Sequence, residues 1–346
     1  MSIDKTLNRE LDFEYELYSK DNVFKKMLYN IENVQVDYGS LTRLKYSARI
    51  TMTEDSEIDY LNDMVKIICV IDGERTPIGI FLLSSPKRKL GDLEVIRDCE
   101  CYSKLKILDD DKTEARYTVL AGTNAVNEVK RIISNKYLYN IPDSALTTST
   151  DKDWEIGTPK LDIINDLLSV INYNSLTVDN NGVFVSSPYV LPTDRTIQVV
   201  YEDNEYSIIY EDMEEDIDLY DIPNVIVRYT NSAEINPPLI AVYENNNPSS
   251  QTSTIKRDRR ITSSESVSDV ADLQTLQLIA KKEAYEMNEK YSYVEFKTAI
   301  NPVHGYLTCI QLKAYDVNNK YIETEWAIDC QTGGEMKHRA RRIINI

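Results

Sequence analysis

Few side chains in this sequence are equipped for chemistry near neutral pH. Histidine is the usual proton carrier there, and the chain holds two, His304 and His338. A serine or cysteine nucleophile needs such a base beside it. His304 lies in Asn301-Pro302-Val303-His304-Gly305, which reads as a turn between strands, where a structural role is expected. His338 lies in the basic stretch Lys337-His338-Arg339-Ala340-Arg341-Arg342, which points to the surface. Cysteines number five, and Cys99 and Cys101 are spaced to share one face of a strand rather than as C-x-x-C. With two histidines there is no ligand set, so packed free thiols and no bound metal or cofactor are expected. Glu211–Asp221 carries seven carboxylates in eleven residues. Such a run reads as a solvated loop or edge; as a cation site it lacks the spaced Asp/Asn pattern and central glycine of a calcium loop. The phosphate-loop, dinucleotide and G-x-S-x-G patterns are absent. Among 57 acidic residues no carboxylate pair is marked out for glycoside cleavage. The chain reads as a non-enzyme.

Composition bounds the rest. At 346 residues the chain has room for two or three domains. No apolar run approaches the roughly 18–20 residues of a membrane span. Met1-Ser2-Ile3-Asp4-Lys5 does not open a secretory leader, so synthesis and folding in a cytoplasm are expected, with no membrane insertion. Thirty-nine basic against 57 acidic residues give a net charge of −18. That balance argues against a general phosphate-binding surface and is compatible with one that DNA passes without sticking. Tyrosine, at 24 residues, suits strands at subunit contacts, although a biased base composition would also supply it.

The elements that would position these groups follow from periodicity. Val34–Tyr38 and Leu44–Met52 alternate about Gly39. Met64–Ile71 and Thr76–Ser84 flank Asp72-Gly73, a hairpin signal, and Asp92–Tyr102 adds a strand. This block predicts a small antiparallel barrel or sandwich. Asn124 caps a helix from Ala125 to about Ser134, and Thr158-Pro159 opens another to about Asn172 with a seam of Leu161, Ile164, Leu168 and Ile171. A hairpin turns at Asn180-Asn181-Gly182 between Leu176–Val178 and Val183–Val185. The last block holds a strand over Ile222–Tyr229, a helix from about Asp269 to Lys290, and strands over Tyr291–Pro302, Ile310–Tyr315 and Tyr321–Ile328. Leu273, Leu276, Ala280, Ala284 and Met287 form one stripe on that helix. Lys256, Arg257, Arg259 and Arg260 form a dense basic cluster before it.

The last block resembles phage tail hub proteins. The resemblance rests on Asn236-Pro237-Pro238-Leu239, Lys256–Ile261, the long helix, Thr298–Pro302 and His304-Gly305-Tyr306, with Pro77–Leu83 matching in the first block. That family comprises the baseplate hub of contractile tails and the N-terminal hub region of siphophage tail-associated proteins, and occurs in tail-like bacteriocins. The resemblance implies an α+β, β-rich fold: two tube-type β-barrel domains with packed helices, at 1–118 and 222–346, around a mixed α/β module at 119–221. The helix of the first barrel would come from Asn124–Ser134 or Leu7–Met27. It further implies a homotrimeric ring joining a six-fold tail tube, or a distal tail protein, to a three-fold tip or spike. The C-terminus of a tape-measure protein is a further partner, genome DNA would pass through without specific binding, and the location would be the virion. Because the sequence stops at Ile346, a spike or enzyme is expected on a separate polypeptide. The expected interface residues are Arg257, Arg259, Arg260, Leu273, Leu276, Ala280 and Ala284, with the helix stripe equally readable as internal core. The rival readings are a tail-tip cell-wall hydrolase using carboxylates and a carbohydrate-binding adhesin.

Overall fold

A computed structural model of the chain describes residues 9–91, 94–134, 136–231, 236–267, 269–290 and 292–346. Asp92 and Leu93 of one expected strand, Tyr291 of another, and Leu7 of the N-terminal helix alternative lie outside these residues.

Alternation builds the first half as strands β1 (Leu11–Tyr18), β2 (Phe24–Met27), β3 (Ile31–Gly39), β4 (Tyr46–Thr53), β5 (Met64–Ile71), β6 (Glu74–Leu90) and β7 (Val95–Ser103). On β4, every second side chain is buried: Tyr46, Ala48, Ile50 and Met52. Asp72 and Gly73 join β5 to β6 with φ of +52° and +81°, the doubly positive pair of a type I′ hairpin. Within the described residues of the Leu7–Met27 helix alternative, the chain forms β1 and β2 instead of a helix. Leu11, Phe13, Tyr15 and Leu17 have period two, and β1 pairs with β5 from Leu11↔Ile71 to Tyr18↔Met64.

The middle region contains α1 (Leu105–Asp110), β8 (Tyr117–Val119), α2 (Ala125–Ile133), β9 (Tyr139–Asn140), β10 (Lys152–Trp154), α3 (Lys160–Val170), β11 (Thr177–Val178) and β12 (Phe184–Val185). Asn124 caps α2 by accepting from the Asn127 amide at 2.9 Å. Thr158 does not cap α3. Pro159 holds the cap position, and the Thr158 hydroxyl turns back to donate to the Glu155 carbonyl. Val126, Val129 and Ile133 of α2 and Leu161, Ile164 and Leu168 of α3 join one apolar core with the first strands.

The remaining elements are β13 (Val199–Glu202), β14 (Glu214–Ile217), β15 (Val225–Thr230), β16 (Ile240–Glu244), α4 (Thr254–Arg257), β17 (Thr262–Val267), α5 (Leu273–Lys290), β18 (Ser292–Ala299), β19 (Cys309–Ala314), β20 (Val317–Asp329) and β21 (Glu335–Arg342). A single sheet runs in the order β14-β18-β21-β20-β3-β4-β7-β6-β5-β1-β2, with β19 on β20 and β13 on β19. Strand β20 makes this continuity. Its first part pairs with β19, and its last residues, Glu325–Asp329, pair with Gly39–Gln35 of β3. The acidic run contributes an exposed edge strand, β14. Both β13 and β14 precede the expected 221/222 boundary, yet they pair with β19 and β18 beyond it. Both are only four residues long, and β14 is polar and exposed as well; partner edges make them strands.

A second core of Tyr201, Val294, Phe296, Ile310, Leu312 and Tyr321 fills the C-terminal half of the sheet. The third lies between α5 and the small sheet β16-β15-β17. The fold is α+β and β-rich.

Candidate functional site

The alternation of β21 decides where His338 goes. Met336, His338 and Ala340 point inward, while Lys337 points to solvent and the arginines stand half-buried. His338 is therefore a core residue, not the surface residue its basic neighbours suggested. His304 also arrives inside, from the loop after β18, and Glu323 from β20; the side chains of all three are at most 1% exposed. One Glu323 oxygen meets His304 Nδ1 at 2.5 Å and the other meets His338 Nδ1 at 2.6 Å. The far nitrogens are occupied too. His304 Nε2 lies 2.7 Å from the Tyr201 hydroxyl, and His338 Nε2 lies 2.9 Å from that of Thr298. Phe296 stacks on His338 at 4.5 Å, and Asn301 donates to the Tyr201 oxygen at 3.4 Å.

Electrostatics in this cluster oppose one another. Burial disfavours the charged form of Glu323, but the two imidazoles overcome it and hold the carboxyl below its usual range. Burial pushes His338 down despite the carboxylate beside it. The expectation of no ligand set is corrected here, because His304, Glu323 and His338 each bring a ligand atom within 4.8 Å of the others. The cluster sits where β20 shifts register against β21, between Glu323 and Glu325, immediately before β20 pairs with β3. The three side chains lie inside the protein rather than at its surface.

A second polar site is a cavity of about 680 Å³ where α5 faces the middle region and the C-terminal half. Arg195, Arg341, Lys282, Glu286 and Glu289 line it. Glu289 is 6% exposed and its Oε1 has no hydrogen-bond partner. Burial, with Glu286 adding repulsion, pushes its carboxyl up to about 8, against the pull of Arg341 and Arg195. Nearby, the buried Arg228 guanidinium pairs with Glu283 of α5.

The expected interface residues are placed as follows. Leu276, Ala280 and Ala284 are buried against Ile226, Ala241 and Val270, inside the chain, and Leu273 is 42% exposed. Three of the four expected interface positions on the stripe are internal core, because the β15–β17 sheet supplies its apolar partner. Arg257 donates to the carbonyls of Leu219, Tyr220 and Ile222, and Arg259 to that of Tyr220 while stacking on its ring. Arg260 pairs with Glu244 at 2.7 Å. The basic cluster thus fastens the segment entering β15. The helix begins at Leu273 rather than near Asp269, and Asp272 caps it by accepting from the Thr275 amide at 2.6 Å. All five cysteines are free and buried, as expected.

No family model matches the chain, and no curated protein matches its sequence. Solved structures do match. The tail protein from Neisseria meningitidis MC58 is similar with a TM-score of 0.67 at 12% identity, over 95% of this chain and 96% of that one. The prophage MuSo2 43 kDa tail protein from Shewanella oneidensis follows at 0.62 and 10%, over 95% and 98%. Prophage tail protein gp18 from Listeria monocytogenes EGD-e gives 0.59 and 11%, over 95% and 94%. At such identities the likeness is one of fold, and the fold is that of phage tail proteins.

Proposed function

We propose that this chain is a structural hub at the distal end of a phage tail or a tail-like bacteriocin. Three copies close a ring that joins the tail tube, or a distal tail protein, to a tip or spike protein. The observation that carries this reading is the end-to-end likeness in fold to tail proteins, which takes in both halves of the large sheet. Two barrel-like halves per chain, at 1–118 and 222–346, would let three subunits present six similar units to a six-fold tube. The first and last strand blocks form the ring wall, and the 119–221 module faces peripheral proteins. The C-terminus of a tape-measure protein meets the ring from the tube side. The net charge of −18 supports a lumen that repels DNA phosphates and lets the genome slide.

The role is assembly in the virion, after synthesis in the host cytoplasm, and not catalysis. Supporting this, the His–Glu–His cluster is closed to solvent and each imidazole nitrogen already has a protein partner. The test is the mass of the purified full chain in solution, with its binding to isolated tail tubes. A particle of three times the chain mass that caps tubes is expected. A strict monomer that ignores tubes overturns the reading.

A further inference from the structure

We propose that His304, Glu323 and His338 form a structural site for a divalent transition-metal ion, zinc by its donor set. The ion fastens β20 at the joint between the two halves of the sheet. Two imidazole nitrogens and a carboxylate oxygen are a recurrent zinc donor set, and these lie within 4.8 Å of one another. An ion with a shell of about 2.0–2.2 Å holds tetrahedral donors about 3.4 Å apart, so on loading the two short Glu323–imidazole contacts open to admit it.

Charge is the first argument. Glu323 is 0% exposed, and its ion pairs are with the two histidines and with no lysine or arginine among the described residues. Where both imidazoles are neutral, this buried carboxylate faces no full positive charge, a costly state that a bound cation removes. The outer hydrogen bonds are the second, independent argument. The Thr298 hydroxyl has one hydrogen and lies 2.8 Å from the Ala299 carbonyl. Spending it there makes Thr298 the acceptor from His338 Nε2–H, which leaves the Nδ1 lone pair facing Glu323. Across the cluster, Tyr201 occupies His304 Nε2 and is itself held by Asn301. Oxygens on the far nitrogens orient ligating imidazoles and fix their tautomer in metal sites. On loading, both histidines bind as neutral ligands through Nδ1, and any proton held there leaves to solvent.

Location gives the ion its effect. Glu323 stands at the register shift, two residues before the β20 segment that pairs with β3, and Tyr201, Thr298 and His338 come from β13, β18 and β21. An ion here ties that joint to three neighbouring strands.

The experiment uses the full chain, expressed without added chelator and assayed by elemental mass spectrometry. About one zinc per chain is expected. Unfolding in chelator and refolding without metal should lower the melting temperature by several degrees. Refolding with Zn²⁺ restores it, and Mg²⁺ does not. Refolding with Co²⁺ should give the visible d–d absorption of a low-coordinate nitrogen–oxygen site, and Glu323→Gln should abolish it. If that variant does not fold, the Co²⁺ spectrum and zinc content of the unaltered chain decide alone. A folded chain without zinc, whose melting temperature is the same after refolding with or without Zn²⁺, overturns the proposal and leaves protons holding the cluster.

Discussion

Glu289 shows how far one residue's surroundings move its chemistry. Its carboxyl, about 8 in the folded chain, returns to about 4.3 on unfolding. Between those values the folded state binds more protons, so this residue makes stability fall as pH rises from about 4.3 to 8. Glu289→Gln should remove that slope and raise stability at pH 7 by up to about 3 kcal/mol, read from urea titrations at pH 5, 7 and 8.5. A variant with an unchanged pH profile would show that Glu289 is solvated in the folded chain. Nothing in the sequence around Glu289 announces this, since it is one of many carboxylates on a helix. Its burial comes from the loop bearing Arg195 and the strand bearing Arg341, which close over it. His338 is the opposite case. The period-two pattern of Met336, His338 and Ala340 was legible, but the density of arginines around it outweighed that signal.

At the scale of elements, α5 carries the clearest consequence. Ala280 is fully buried against the β15–β17 sheet. Ala280→Leu should therefore overpack an internal core and cost about 1–3 kcal/mol in denaturant titrations of the dilute chain. If the stripe met another subunit instead, the substitution would weaken association and leave the dilute chain's stability alone. The helix and its apolar face were readable from spacing. What covers that face was not, because a core-facing stripe and a subunit-facing one have the same period. The basic cluster behaves similarly. Arg257 and Arg259 read as interface candidates in one dimension, and in three they donate to the carbonyls of Leu219, Tyr220 and Ile222. The strands β13 and β14 were missed for a related reason: four-residue strands give too short a pattern to read, and they form where a longer strand offers its edge.

In the whole molecule, the two halves meet through β20. Trp326 stacks on Tyr38 of β3 at 5.3 Å and meets Tyr46 of β4 edge-on at 5.8 Å, which adds an aromatic clamp to the backbone pairing. Trp326→Ala should cost about 3–5 kcal/mol and loosen one half against the other. Limited proteolysis between the halves, together with the loss of the buried tryptophan signal in near-ultraviolet circular dichroism, would report it. Wild-type protease resistance in the variant would place the strength of the joint elsewhere. In the proposed ring this joint would set the angle between neighbouring units, and the same substitution should then also reduce ring closure in the solution-mass measurement.

Strand alternation, the Asp72-Gly73 turn, the Asn124 cap and the helical stripes follow from local chemistry, because each depends on residues within a few positions of one another. They were enough to indicate a β-rich α+β chain without a catalytic signature. Tertiary structure alone decided that the N- and C-terminal strands share one sheet through β20. It alone decided that α5 covers its own small sheet, and that His304, Glu323 and His338 converge. Those outcomes depend on contacts between residues far apart in the chain, where side-chain type constrains which groups can meet but only the folded backbone selects which do.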